Sequence, residues 1–139
     1  MTENRSRTAP IRFAGYAGLF DIPDADRDTI RRGAFASTLA QRRSPLPLLW
    51  QHRPDQQIGE IETVAEDERG LRVIARIDRA ASRAAIMLLD QKVSGLSFGY
   101  RARESSHKET GRELTAIDLF EVSLVTHPLQ HGARVHFVT

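Results

Sequence analysis

The chain has 139 residues, 40% of them apolar and 27% charged, which suits one globular domain with a single core and no membrane-length apolar run. It contains no cysteine, which excludes disulfides, thiolate catalysis and Cys-based zinc sites together. The net charge is only +2, and the arginines are interleaved with Asp and Glu rather than gathered in a stripe, so the composition argues against a nucleic-acid partner.

Residues 1–9, polar and without the apolar core of a signal peptide, read as a disordered lead-in, and 10–139 as one domain in a cytoplasmic protein. IRFAGYAGLF (11–20) alternates as a strand does, with Gly15 and Gly18 as its weak points. DIPDADRDT is a polar loop, and RRGAFASTLAQRR (31–43) has helical spacing until Ser44-Pro45 ends it. LPLLWQH (46–52) is a short apolar strand, followed by a turn at HRPDQQ. IGEIETVAEDERGLRVIARID (58–78) carries two alternating runs around EDERG, which predicts a hairpin. AASRAAIMLLDQK (80–92) suits an amphipathic helix. VSGLSFGYRARE (93–104) is a strand, SSHKETGRE (105–113) a polar turn, LTAIDLFEVSLVTH (114–127) a second strand, and GARVHFVT (132–139) a final edge strand. The sum is α+β: a small antiparallel β-barrel or sheet with flanking helices.

Three segments could carry chemistry. In GLSFGY, strand alternation puts Leu96, Phe98 and Tyr100 on one face and Gly95, Ser97 and Gly99 on the other. A serine between two glycines is unshielded and open to a substrate backbone; the same pattern also fits close packing of another element. In LPLLWQH, Leu48, Trp50 and His52 fall on one face, so His52 ends an apolar strand. It could be a base for a serine hydroxyl, or simply a strand-end histidine. In LTAIDLFEVSLVTH, alternation puts Ile117 and Leu119 on one face and Phe120, Val122 and Leu124 on the other, so both faces should be covered. Glu121 in its middle needs a partner, either a histidine or one of the many arginines. His107 lies in the polar turn. His127, His131 and His136 are spaced HxxxHxxxxH with no convincing carboxylate neighbours, so no metal site is assigned.

Taken in order, GYAGLFDIPDADRDTIRRGAF, LPLLWQH, IGEIETVAEDERGLRVIARI, VSGLSFGY and FEVSLVTHP resemble the prohead (procapsid) maturation proteases of HK97-like tailed phages, including those of prophages and gene transfer agents. The likeness runs from Arg12 to Val138. That family is similar in fold to the herpesvirus assembly (assemblin-type) proteases, a small β-barrel surrounded by helices, and its members are serine endopeptidases. The resemblance implies Ser97 as nucleophile, His52 as general base and Glu121 as third member. Because the herpesvirus relatives use a second histidine there, His127 is the fallback. It also implies cleavage of scaffolding segments from the major capsid protein inside the procapsid, in the host cytoplasm, with self-digestion. A homodimer is compatible with it, and no metal or cofactor is needed. Two rival readings stay open: a capsid assembly or scaffolding factor that keeps the fold without activity, and a nucleic-acid-binding β-barrel, for which aromatics at 6% supply little stacking surface.

Overall fold

The protein is described from a computed structural model over residues 9–139; the lead-in expected over 1–9 lies, apart from Ala9, outside the described residues. One sheet is built from β1 (Ile11–Leu19), β2 (Asp28–Ile30), β3 (Leu46–Trp50), β4 (Arg53–Glu66), β5 (Gly70–Ile77), β6 (Gly95–Lys108), β7 (Gly111–Val125) and β8 (Val135–Val138). Two short helices, α1 (Ala36–Ala40) and α2 (Arg83–Leu89), accompany it. The strand order is β2-β7-β3-β4-β5-β1-β8, with β6 also paired to β7. Most pairings are antiparallel, but β2 and β3 both run parallel to β7. The sheet curls into a half-barrel: Leu96 N–H donates to the Ala133 carbonyl at 2.9 Å and Val135 N–H to that of Ser94 at 2.8 Å, so the start of β6 meets the segment entering β8.

Local chemistry sets the element ends. The β4–β5 hairpin forms where EDERG predicts it, with the Asp67 carboxylate accepting from the N–H groups of Arg69 (2.8 Å) and Gly70 (3.2 Å). The helix expected over 31–43 shortens to α1, because Gly33 sits at φ +88°, outside the helical region. The Glu66 carboxylate takes up the N–H groups of Gly33 and Phe35, each at 2.8 Å, ahead of that helix. In α2, Ser82 caps the first turn through Ala85 N–H at 3.3 Å, while Ala84, Ala85 and Leu88 face the core. The polar turn expected over 105–113 contracts, since β6 runs on to Lys108 and pairs it with Gly111.

The core is lined by Phe13, Phe35, Leu48, Val73, Leu96 and Leu124, none more than 1% exposed. Burying each large apolar side chain contributes about 1.5–3 kcal/mol. β7 enters this core with a change of phase. Strict alternation would put Leu119 and Glu121 on one face. Instead the ladder pairs Tyr100 with Leu119 and Gly99 with Glu121, leaving Phe120 as an extra residue. This β-bulge lets Ile117, Leu119, Val122 and Leu124 all join one core, whereas Phe120 is 54% exposed. The expectation that Phe120 shares a second covered face with Val122 and Leu124 is thereby corrected. Glu121 and Ser123 are left on the opposite face, across from Gly99 and Ser97 of β6.

Candidate active site

His52 is held by a tight turn rather than by the end of a strand. Trp50 pairs with Arg53, and the two residues between them, Gln51 and His52, have φ of 53° and 60°. Positive φ at both central positions is the pattern of a type I′ hairpin turn, normally made by Asn-Gly. A non-glycine residue there costs about 1–2 kcal/mol. The turn is tied to the end of β7, which offsets that cost. Gln51 N–H donates to the Leu124 carbonyl at 3.0 Å, Thr126 N–H to Gln51 Oε1 at 3.2 Å, and His52 N–H to Ser123 Oγ at 3.0 Å.

The imidazole projects from this turn with its side chain 42% exposed, and its Nδ1 meets Glu121 Oε1. Glu121 is only 9% exposed as a residue, and its other oxygen, Oε2, accepts from the Ser123 hydroxyl at 2.6 Å. Carboxylate oxygens are acceptors, so Nδ1 supplies the proton of its bond. Of the partners the sequence left open for Glu121, the structure supplies the histidine, and no arginine among the described residues pairs with it.

Ser97 lies directly across the ladder from Ser123 and is 7% exposed. The two serines differ in availability. Ser123 is fully buried and its hydroxyl is committed, as acceptor to His52 N–H and donor to Glu121. Among the described residues the Ser97 hydroxyl has no hydrogen-bond partner, and no hydrogen bond joins it to the His52 ring. Catalytic hydrogen bonds of this kind are often long until substrate binds.

The flanking glycines are used differently from the open approach path that the sequence suggests. A methyl group on Gly99 would stand 2.5 Å from Glu121 Oε1, and one on Gly95 would stand 2.7 Å from the Pro128 ring. The glycines therefore admit the acid on one side of Ser97 and the 126–134 loop on the other. That loop is pinned by Gln130, which accepts from Leu19 N–H at 2.6 Å and donates to the carbonyls of Leu19 (3.0 Å) and Ile22 (2.8 Å).

His127 follows β7 in an exposed position and makes no hydrogen bond to His52. His136 lies edge-on to Tyr16 at 5.9 Å, and His131 lies beside Arg134. Ser123 escaped the sequence reading, because a serine within an apolar strand carries no local mark. The available signal was its spacing: Glu121 and Ser123, two apart on a strand, share a face. Two grooves, of about 640 and 520 Å³, lie elsewhere, around Arg42 and Ile61 and between α2 and β8.

Comparison with known proteins places these residues in context. Residues 1–139 match the model of the caudovirus prohead serine protease family. The chain is similar to the prohead protease of Enterobacteria phage HK97, with 31% identity over 130 residues, covering 88% of this chain and 58% of that protein. It is also similar to a capsid polyprotein of Pseudomonas phage PAJU2, with 28% identity over 107 residues, covering 69% of this chain and 16% of that protein. The chain thus spans less than two thirds of the length of these curated relatives. Among solved structures, a KSHV protease in complex with a hexapeptide phosphonate inhibitor superposes with a TM-score of 0.63 at 12% identity, covering 94% of this chain and 65% of that one. The varicella-zoster virus protease gives 0.60 at 19%, covering 91% and 63%. At such identities these two show the shared fold. A match along its whole length, on a half-barrel of herpesvirus-protease type, makes this chain a member of the caudovirus prohead serine protease family.

Proposed function

We propose that the chain is a serine endopeptidase of phage head maturation, with Ser97 as nucleophile, His52 as general base and Glu121 as the acid that orients it. The carrying observation is the His52–Glu121 contact beside the paired Ser97 and Ser123, of which Ser123 is bonded at both ends and Ser97 is unbonded among the described residues. In this mechanism His52 Nε2 takes the Ser97 proton as Oγ attacks the scissile carbonyl carbon. The C–N bond then breaks, and His52 returns that proton to the leaving amine. Water, deprotonated by the same nitrogen, hydrolyses the acyl-enzyme and regenerates the Ser97 hydroxyl. Glu121, bonded to Nδ1, stabilises the imidazolium. His127, exposed and not hydrogen-bonded to the ring, has no part in this mechanism.

The substrate in this reading is the scaffolding segment of the major capsid protein, cut inside the assembling procapsid in the host cytoplasm, with self-cleavage. The family and the capsid-polyprotein relative support a capsid-associated target. No helix among the described residues is long and apolar enough to cross a membrane.

Ser97→Ala is the decisive variant. It should fold as the parent does and lose cleavage of the capsid precursor, followed by gel and mass spectrometry, by 10³-fold or more. A serine-directed fluorophosphonate should label Ser97 in the parent chain. Full processing by Ser97→Ala would overturn the assignment. Absence of both labelling and cleavage in the parent chain would favour an assembly or scaffolding factor that has kept the fold without the activity.

A further inference from the structure

Three hydrogen bonds close a circuit that the triad alone does not describe, and a fourth anchors it. His52 N–H donates to Ser123 Oγ, the Ser123 hydroxyl donates to Glu121 Oε2, and Glu121 Oε1 receives His52 Nδ1, while Gln51 N–H anchors the turn to Leu124. We propose that Ser123 is a positioning residue, which fixes the main chain of the base and the rotamer of the acid through one hydroxyl. The proposal rests on His52 acting as the base.

The argument is one of directed bonds in a dry place. Ser123 is 0% exposed, so water does not readily substitute for it. His52 N–H belongs to a residue at φ 60°, a conformation that persists only where neighbours hold it. By accepting from that N–H, the hydroxyl leaves its own proton directed at Glu121 Oε2. That bond occupies one carboxylate oxygen and turns the other to the ring, which selects the Nδ1–H tautomer and leaves Nε2 as the acceptor. The Glu-x-Ser spacing on a strand supplies the common face, and the bulge at Phe120 turns that face away from the core.

Removing the hydroxyl should therefore loosen the base without touching substrate. Ser123→Ala and Ser123→Cys should each lower kcat by roughly 10- to 100-fold with KM little changed, while Ser123→Thr, which keeps the hydroxyl, should recover most of the loss. The accompanying readout is the ¹⁵N spectrum of the His52 ring, which a purely structural serine would not move. The parent should show a protonated Nδ1 and an unprotonated Nε2, and the Ala and Cys variants a mixture of tautomers. If Ser123→Ala does not fold, Ser123→Cys, of nearly the same volume, decides the matter. Parent-like kcat and ring spectrum in a folded Ala or Cys variant would overturn the proposal, as would fluorophosphonate labelling at Ser123 in place of Ser97. Ser97→Ala, run in parallel, keeps the two ideas separate. Retained cleavage there sinks the assignment of the nucleophile, while the tautomer spectrum still judges Ser123 on its own.

Discussion

At Gly99 a missing methyl group makes room for the carboxylate that holds the His52 ring. An added Cβ would stand 2.5 Å from Glu121 Oε1 and 2.9 Å from Glu121 Cγ, so the acid must move. Gly99→Ala should therefore reduce peptide cleavage by about 10²-fold or more through misplacement of the base. The check is kcat together with the His52 ring spectrum. The split of GLSFGY into an apolar face and a Gly-Ser-Gly face was legible in the sequence, because alternation is a local rule. What fills the glycine gaps was not, since Glu121 and Pro128 arrive from elsewhere in the chain. His52 was recognisable as a candidate base, but its left-handed turn was not. Gln-His lacks the Asn-Gly signature, and the bonds that hold it come from β7.

Among the elements, β7 organises the site: it pairs with β6 along most of its length and with β2 and β3 in two short parallel stretches. The bulge at Phe120 separates neighbours that look alike in sequence. Phe120→Ala, at a 54% exposed position, should change unfolding free energy by no more than about 0.5 kcal/mol. Leu124→Ala, at a fully buried one, should cost about 2–5 kcal/mol. Urea titration of the two variants measures the contrast directly. Most of the strands and the β4–β5 hairpin were readable from period two and turn chemistry, whereas β2 and the first residues of β4 form in segments that read as a polar loop and a turn. The bulge was not, because an apolar run such as LFEVSLV fits either phase and only the partner strand fixes which one forms.

Across the whole molecule, the start of β2 is locked to the β6–β7 pair by Asp28. Its carboxylate receives both Arg112 Nε (3.0 Å) and Nη2 (2.9 Å), and the Tyr100 hydroxyl at 3.1 Å. The bond to Arg112 holds the Asp28 carboxyl below its ordinary range, and burial, with Asp28 beside it, pushes the Tyr100 hydroxyl up to about 12. The folded protein thus binds the Asp28 proton less readily than the unfolded chain does. Its contribution is full above the ordinary carboxylate value of about 4 and is lost as pH falls through the lower folded value. Asp28→Asn should cost about 2 kcal/mol near neutral pH, and the difference from the parent should shrink as the pH of urea unfolding is taken below about 4.

The separation of 69 residues between His52 and Glu121 has a further consequence for synthesis. A nascent chain still emerging from the ribosome, or a fragment broken off before β7, carries the imidazole without its carboxylate and the serine without its neighbour. Under the proposed mechanism such species would lack the assembled site, so peptide cleavage would begin only once the last long strand has been translated and zipped into place.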